Sequence, residues 1–141
     1  MAVDLGTKRI GIAVSDPDGM FASPLMVIQR KGGAQDLREV ALVAQDYEVG
    51  TLVVGLPVNL RGEHSIAADN AQKEIAQLRA ATAIPVETYD ERLTSAAANK
   101  SMQQGGLGRE DRKDKVDKVA AAMLLQSYLD KIRLKHDAPE E

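Results

Sequence analysis

Residues Asp4 to Asp16 read DLGTKRIGIAVSD. Alternating β-branched residues from Arg9 to Val14, with Ala2 to Leu5 before them, predict two strands joined by a tight turn at Gly6, Thr7 and Lys8. Asp4 breaks the pattern. It stands between Val3 and Leu5, where an interior strand would carry an apolar side chain. A buried carboxylate costs several kcal/mol unless it is paired or meets a cation.

Working outward, the turn-forming Asp16, Pro17, Asp18 and Gly19 introduce a third strand, Pro24 to Gln29. This start reads as an antiparallel meander. From Gln35 to Tyr47 the residues Leu37, Val40, Ala41, Val43 and Ala44 recur at helical spacing, and Gly50 is expected to end that segment. The next strand, Thr51 to Leu56, is TLVVGL, apolar on both faces as in the interior of a parallel sheet. After a polar loop, Ser65 is placed to cap a helix carrying Ile66, Ala67, Ala71, Ile75 and Leu78 on one stripe. Pro85 then introduces the strand Val86 to Tyr89.

Thr94 or Ser95 is placed to cap a short helix ending near Gln104, and Gly105, Gly106 and Gly108 break the chain before the charged run Arg109 to Lys115, read as a mobile loop. A final helix over about Lys113 to Lys131 carries Val116, Val119, Ala120, Met123 and Leu124 inward. His136 to Glu141 reads as a frayed tail. The order βββαβαβαα predicts an α/β fold: a mixed five-stranded sheet, antiparallel then parallel, flanked by helices. Residues 1–135 are expected to form one domain.

Composition narrows the chemistry. No cysteine and only two histidines, His64 and His136, argue against thiol catalysis and against Cys-rich or histidine-built metal sites, so a metal here would be held by oxygen, which favours Mg²⁺ or Mn²⁺. One Phe, three Tyr and no Trp argue against base-stacking platforms. The net charge of −3 argues against nucleic-acid binding over the whole surface, though not against a local basic patch. With no membrane-length apolar run and no leader pattern, the chain reads as cytoplasmic and without a membrane partner.

Three groups of acids lie in apolar surroundings or at strand carboxyl ends, where open α/β sheets place their sites: Asp4, the neighbours Asp90 and Glu91, and Asp117. On a helical wheel Asp117 falls between Leu124 and Tyr128 and beside Ala121, at the edge of the buried stripe. Asp114, one turn earlier, is an auxiliary candidate. Converging carboxylates need positive charge between them, and two divalent ions about 3.5 to 4 Å apart would serve phosphodiester hydrolysis. Other readings stay open. Asp4 could bond the amides of its turn, Glu91 could pair with Arg92, and Asp117 among Lys113, Lys115 and Lys118 could be a solvated helix face.

Lys8, Arg9, Arg61 and Arg92 lie near these acids in sequence and would grip backbone phosphates without reading bases. The loop GLPVNLRGEHS, Gly55 to Ser65, gathers Asn59, Arg61, His64 and Ser65 before a helix N-terminus, which favours phosphate but is also ordinary turn chemistry.

Together DLGTKRIGIAVSD, VVGLPVNLRGEHS, YDERLTSAAA and VDKVAAAMLLQSYL, in that order over nearly the whole chain, resemble the YqgF/RuvX family of Holliday junction resolvases or pre-16S rRNA nucleases. DLGT alone also resembles the phosphate loop of the actin and sugar-kinase superfamily. The resemblance implies a ribonuclease H-like fold and an acid triad at Asp4, Glu91 and Asp117, with Lys8, Arg9 and Arg92 near the substrate. Asp90 is held in reserve because spacing does not separate it from Glu91. Family members usually carry more residues before the first acid, so the first strand is expected to be short.

Two functional classes follow. One is a metal-dependent endonuclease acting on structured nucleic acid, either a four-way DNA junction or an rRNA precursor; a junction resolvase would also need two coordinated sites and hence a homodimer. The other is a non-catalytic nucleic-acid-binding module that kept the fold. A nucleotide-dependent kinase is weaker, since such enzymes close two domains over the nucleotide.

Overall fold

β-Branched and small residues at alternating positions form the first three strands: β1 (Ala2–Leu5), β2 (Arg9–Ser15) and β3 (Ala22–Gln29). In the computed structural model, which describes residues 1–56, 66–90 and 110–137 and the helical side chains at 69–81 and 118–134, these are followed by α1 (Gln35–Asp46), β4 (Leu52–Leu56), α2 (Ile66–Ala81), β5 (Val86–Asp90) and α3 (Glu110–Asp137). The strands form one sheet in the order β3-β2-β1-β4-β5. β2 pairs antiparallel with β1 and β3, whereas β1, β4 and β5 run parallel. β1 is therefore the central strand. Its four-residue length matches expectation, and its ladder to β4 gains one more bond, from Val53 N–H to the Met1 carbonyl at 2.9 Å.

The pleat sorts side chains onto two faces. Val3, Ile10, Ile12, Leu52, Val54 and Val86 join Leu37, Val40, Ile75 and Leu78 in the larger core, beneath α1 and α2. Ala2, Ala13, Val53 and Tyr89 meet Ala121, Leu124 and Leu125 of α3 on the other. β4 is buried on both faces, which is why TLVVGL carries no alternation.

Four expectations change. The charged run expected to be a loop is helical from Glu110, and α3 continues to Asp137, so His136 belongs to the helix rather than to a frayed tail. Residues of good helix propensity without an apolar period read alike as a loop and as a helix, which is why the sequence left this run open. α1 is ended not by Gly50 but by Glu48, whose φ of 52° is left-handed. The Glu48 N–H donates to the Gln45 carbonyl and the Val49 N–H to that of Ala44, a Schellman closure with glutamate where glycine is usual. β3 starts at Ala22, two residues before Pro24, an edge position that tolerates proline. The expected cap at Ser65 and the short helix near 94–104 lie outside the described residues. Among the described residues no helix is long and apolar enough to cross a membrane.

Candidate functional site

Asp4 lies next to the carboxyl end of the central strand. Its neighbours Val3 and Leu5 face the α1/α2 core, so alternation turns Asp4 toward α3, and only 4% of the residue is exposed. Opposite it on β2 stands Gly11, which brings no side chain. Two residues along β2 on the same face is Arg9, also buried. The sheet thus places an acid and a base diagonally across one glycine, at the level where cross-strand neighbours interact.

The turn between them is tight. Gly6 N–H donates to the Asp4 carbonyl at 3.1 Å, and a Cβ on Gly6 would meet the Arg9 carbonyl oxygen at 2.5 Å. Glycine is required there by close approach. Lys8 is exposed at the apex.

β1, β4 and β5 are parallel, so their carboxyl ends share one edge of the sheet. On β5, Tyr89 faces α3 and Val86 faces the other core; alternation therefore puts Asp90, paired with Leu56, on the face away from Asp4. Glu91 follows β5 directly. It lies outside the described residues, as do Arg61, Arg92 and His64. Asp114 and Asp117 fall within α3, with their side chains outside the described set.

α3 is anchored by its C-terminal half. The amide nitrogen of Gln126 donates to the Met20 carbonyl and its side-chain oxygen accepts from Ala22 N–H, both at 2.9 Å, at the tip of the β2–β3 hairpin. Tyr89 and Ser127 hydroxyls lie 2.9 Å apart, Tyr89 packs edge-on to Tyr128 at 6.1 Å, and the Tyr128 hydroxyl donates to Glu87. Desolvation first, then that carboxylate, pushes the Tyr128 phenol up to about 12. Leu125, Leu129 and Ile132 also line a cavity of about 550 Å³ with Met1, Thr51 and Val53, at the amino ends of β1 and β4. The N-terminal half of α3 therefore points toward the edge that carries Asp4.

Among the described residues no group of three or more His, Asp or Glu is close enough to hold a metal ion. The expected ligands Asp4, Glu91 and Asp117 would offer carboxylate oxygen alone, which would fit Mg²⁺ or Mn²⁺ and not a soft ion. Sequence reading missed a second buried acid. Asp36, fully buried in the first turn of α1, accepts from Lys31 N–H at 2.9 Å and Gly32 N–H at 3.0 Å. Its Oδ2 lies 4.0 Å from Arg30. Its place beside the glycine pair Gly32 and Gly33 was the available signal.

Comparison with known proteins agrees with this architecture. The family model described as "RuvX: Holliday junction resolvase" matches residues 1–131. A protein of Syntrophomonas wolfei named "Putative pre-16S rRNA nuclease" is 42% identical over 130 residues, 92% of this chain and 92% of its own. One of the same name from Clostridium botulinum (strain Eklund 17B / Type B) is 42% identical over 132 residues, 94% of this chain and 96% of its own. The solved structure of Thermus thermophilus RuvC in complex with a Holliday junction substrate has a TM-score of 0.58 at 18% identity, covering 93% of this chain and 92% of that one. That likeness is one of fold, the ribonuclease H-like fold.

Proposed function

Because this chain belongs to the RuvX family of Holliday junction resolvases, we propose that it is an endonuclease that hydrolyses phosphodiesters of structured nucleic acid with the help of Mg²⁺ or Mn²⁺. The observation that carries this reading is Asp4: a buried carboxylate on the central strand, at the edge where three parallel strands end, on the face that α3 covers. A carboxylate buried at such an edge calls for positive charge, and Arg9 on the same face and a bound cation would both supply it.

Asp4, Glu91 and Asp117 are the proposed ligands. Position 117 lies nine residues from Gln126, about 13 Å along a helix axis. Gln126 is bonded beside Ala22, which pairs with Ser15, and Ser15 is four residues, again about 13 Å, from the Gly11 that faces Asp4. The two lengths agree, which supports Asp117 at the height of Asp4. Alternation turns Asp90 away from Asp4, which weakens the reserve candidate and leaves Glu91 as the proposed ligand after β5. A divalent cation held by these oxygens would supply Lewis-acid stabilisation of the reacting phosphate and make water more acidic. The carboxylates fix the geometry, while Lys8, Arg9, Arg61 and Arg92 steady backbone phosphates and set register.

The family description points to branched DNA and the names of the curated relatives to precursor rRNA; both substrates would use this site. We place the activity in residues 1–135 acting as one cytoplasmic domain, with a homodimer where a junction is cut on two strands.

Wild type and Asp117→Asn are compared on junction DNA and precursor rRNA with Mn²⁺, Mg²⁺ or EDTA. Cleavage is expected to need the metal and to fall at least about 100-fold in the variant, with binding within a few-fold of wild type. Equal cutting by the variant would show that the triad is misassigned. A wild type that binds but cuts neither substrate under any metal would favour the non-catalytic binding module.

A further inference from the structure

We propose that Arg30, at the end of β3, is a positioning residue that fixes the turn carrying Asp4 by fastening it to α2. This rests on the nuclease reading above for its catalytic consequence, but the geometry stands on its own. The Arg30 backbone N–H donates to the Lys8 carbonyl at 3.0 Å, and its side-chain Nε donates to the Gly6 carbonyl at 2.7 Å. One residue thereby holds both ends of the Gly6 to Lys8 turn.

The guanidinium is itself fixed. Its two terminal nitrogens form a fork on Glu74 of α2, at 2.5 and 3.1 Å, with the Asp36 carboxylate 4.0 Å away. The Arg30 and Glu74 side chains are 15% and 22% exposed, so the pair is partly desolvated and held in one geometry rather than frayed into solvent. Asp36 closes the network by bonding the Lys31 and Gly32 amides, which sets the direction of the chain leaving Arg30. α2, for its part, begins directly after the 57–65 segment that contains Arg61. A continuous chain of contacts thus runs from α2 through Glu74 and Arg30 to Gly6, two residues beyond Asp4.

Lysine would not serve. It presents a point charge without the planar fork and could not bond Gly6 while engaging both Glu74 oxygens. A cleft of about 710 Å³ borders the network between Gly6, Thr7, Asn70 and Lys73, so the turn lacks packed support on that side and depends on the arginine.

The test measures kcat and KM for cleavage by wild type, Arg30→Ala, Arg30→Lys and Glu74→Gln, together with amide hydrogen exchange at Gly6 and, as a distant reference, Val53. Arg30→Ala is expected to lower kcat about 10- to 100-fold with KM within about twofold. Exchange at Gly6 should rise at least about tenfold while Val53 is unchanged. Arg30→Lys should recover little, and Glu74→Gln, which leaves the turn contacts in place, should show a smaller loss of the same kind. Wild-type exchange at Gly6 in Arg30→Ala, or equal acceleration at Val53, overturns the proposal whatever the activity. Unchanged kcat, or a loss confined to KM, overturns it as well. If wild type cuts neither substrate, the nuclease reading fails instead, and exchange at Gly6 still decides whether Arg30 holds the turn.

Discussion

Asp4 and Gly6 are two residues apart and answer to different constraints. Asp4 spends stability, because its carboxylate is buried where an apolar side chain would pack without desolvation cost. Gly6 is fixed by space, because any side chain would press on the Arg9 carbonyl oxygen at 2.5 Å, and that atom is backbone. Gly6→Ala must therefore shift the start of β2 relative to β1. It is expected to cost about 1 to 3 kcal/mol, read as a lower urea midpoint at unchanged slope, and to reduce cleavage more than stability, since the displaced atoms flank Asp4 and Arg9. A variant with the wild-type midpoint would mean that the turn yields to a methyl group without cost and that close approach does not fix the glycine.

Among the elements, the β2–β3 hairpin shows how local chemistry sets a register. The Asp16 carboxylate accepts from Phe21 N–H at 3.1 Å and Met20 N–H at 2.7 Å, closing the turn from its own side chain. Those bonds, that of Phe21 first, hold its carboxyl below the ordinary aspartate value. A carboxyl group more acidic folded than unfolded adds stability that is complete above the unfolded value of about 3.9 and is lost as pH falls through the folded one. The stability advantage of wild type over Asp16→Ala should thus be present at pH 7 and shrink below pH of about 4, as read from urea midpoints across that range. The sequence announced this hairpin through Asp16, Pro17 and Gly19, and it announced β1, β4 and the α1 stripe through periodicity, because each of those signals is local. The start of α3 was not legible, since a charged run without apolar period looks alike in a loop and on a solvated helix. The end of α1 was legible to within one residue, since the apolar stripe stops before Tyr47, but its closure was not, because Glu48 takes the left-handed position and no residue type foretells it. For the site, Asp4 was legible as a broken pattern, whereas the network of Arg30, Asp36 and Glu74 was not. Its members are up to 44 residues apart and meet only through the fold.

The whole molecule carries a net charge of −3, so its attraction for nucleic acid must come from how charge is arranged. At the carboxyl edge of β1 and the end of β3 Arg30 is paired with Glu74 and Arg9 is buried on the face of Asp4, which leaves Lys8 and Lys31 exposed there, while Asp16, Asp18, Asp46 and Glu48 gather at the opposite edge, around the hairpin tip and the end of α1. A polyanion would be steered to one edge and repelled from the other, which orients it toward Asp4 before any specific contact forms. The exposed Lys8 at the turn apex is the residue to test, against Arg133, which follows the Ile132 that lines the amino-edge cavity and is paired with Asp130. Affinity for junction DNA and for precursor rRNA is measured over a salt series. Lys8→Ala should weaken binding at low salt and reduce the slope of log affinity against log salt by about 0.7 to 0.9, the loss of one phosphate contact. Arg133→Ala should leave slope and affinity unchanged, because its charge lies at the repelling edge. Equal losses in the two variants would mean that charge acts over the whole surface, and the orienting role of the Asp4 edge would have to be given up.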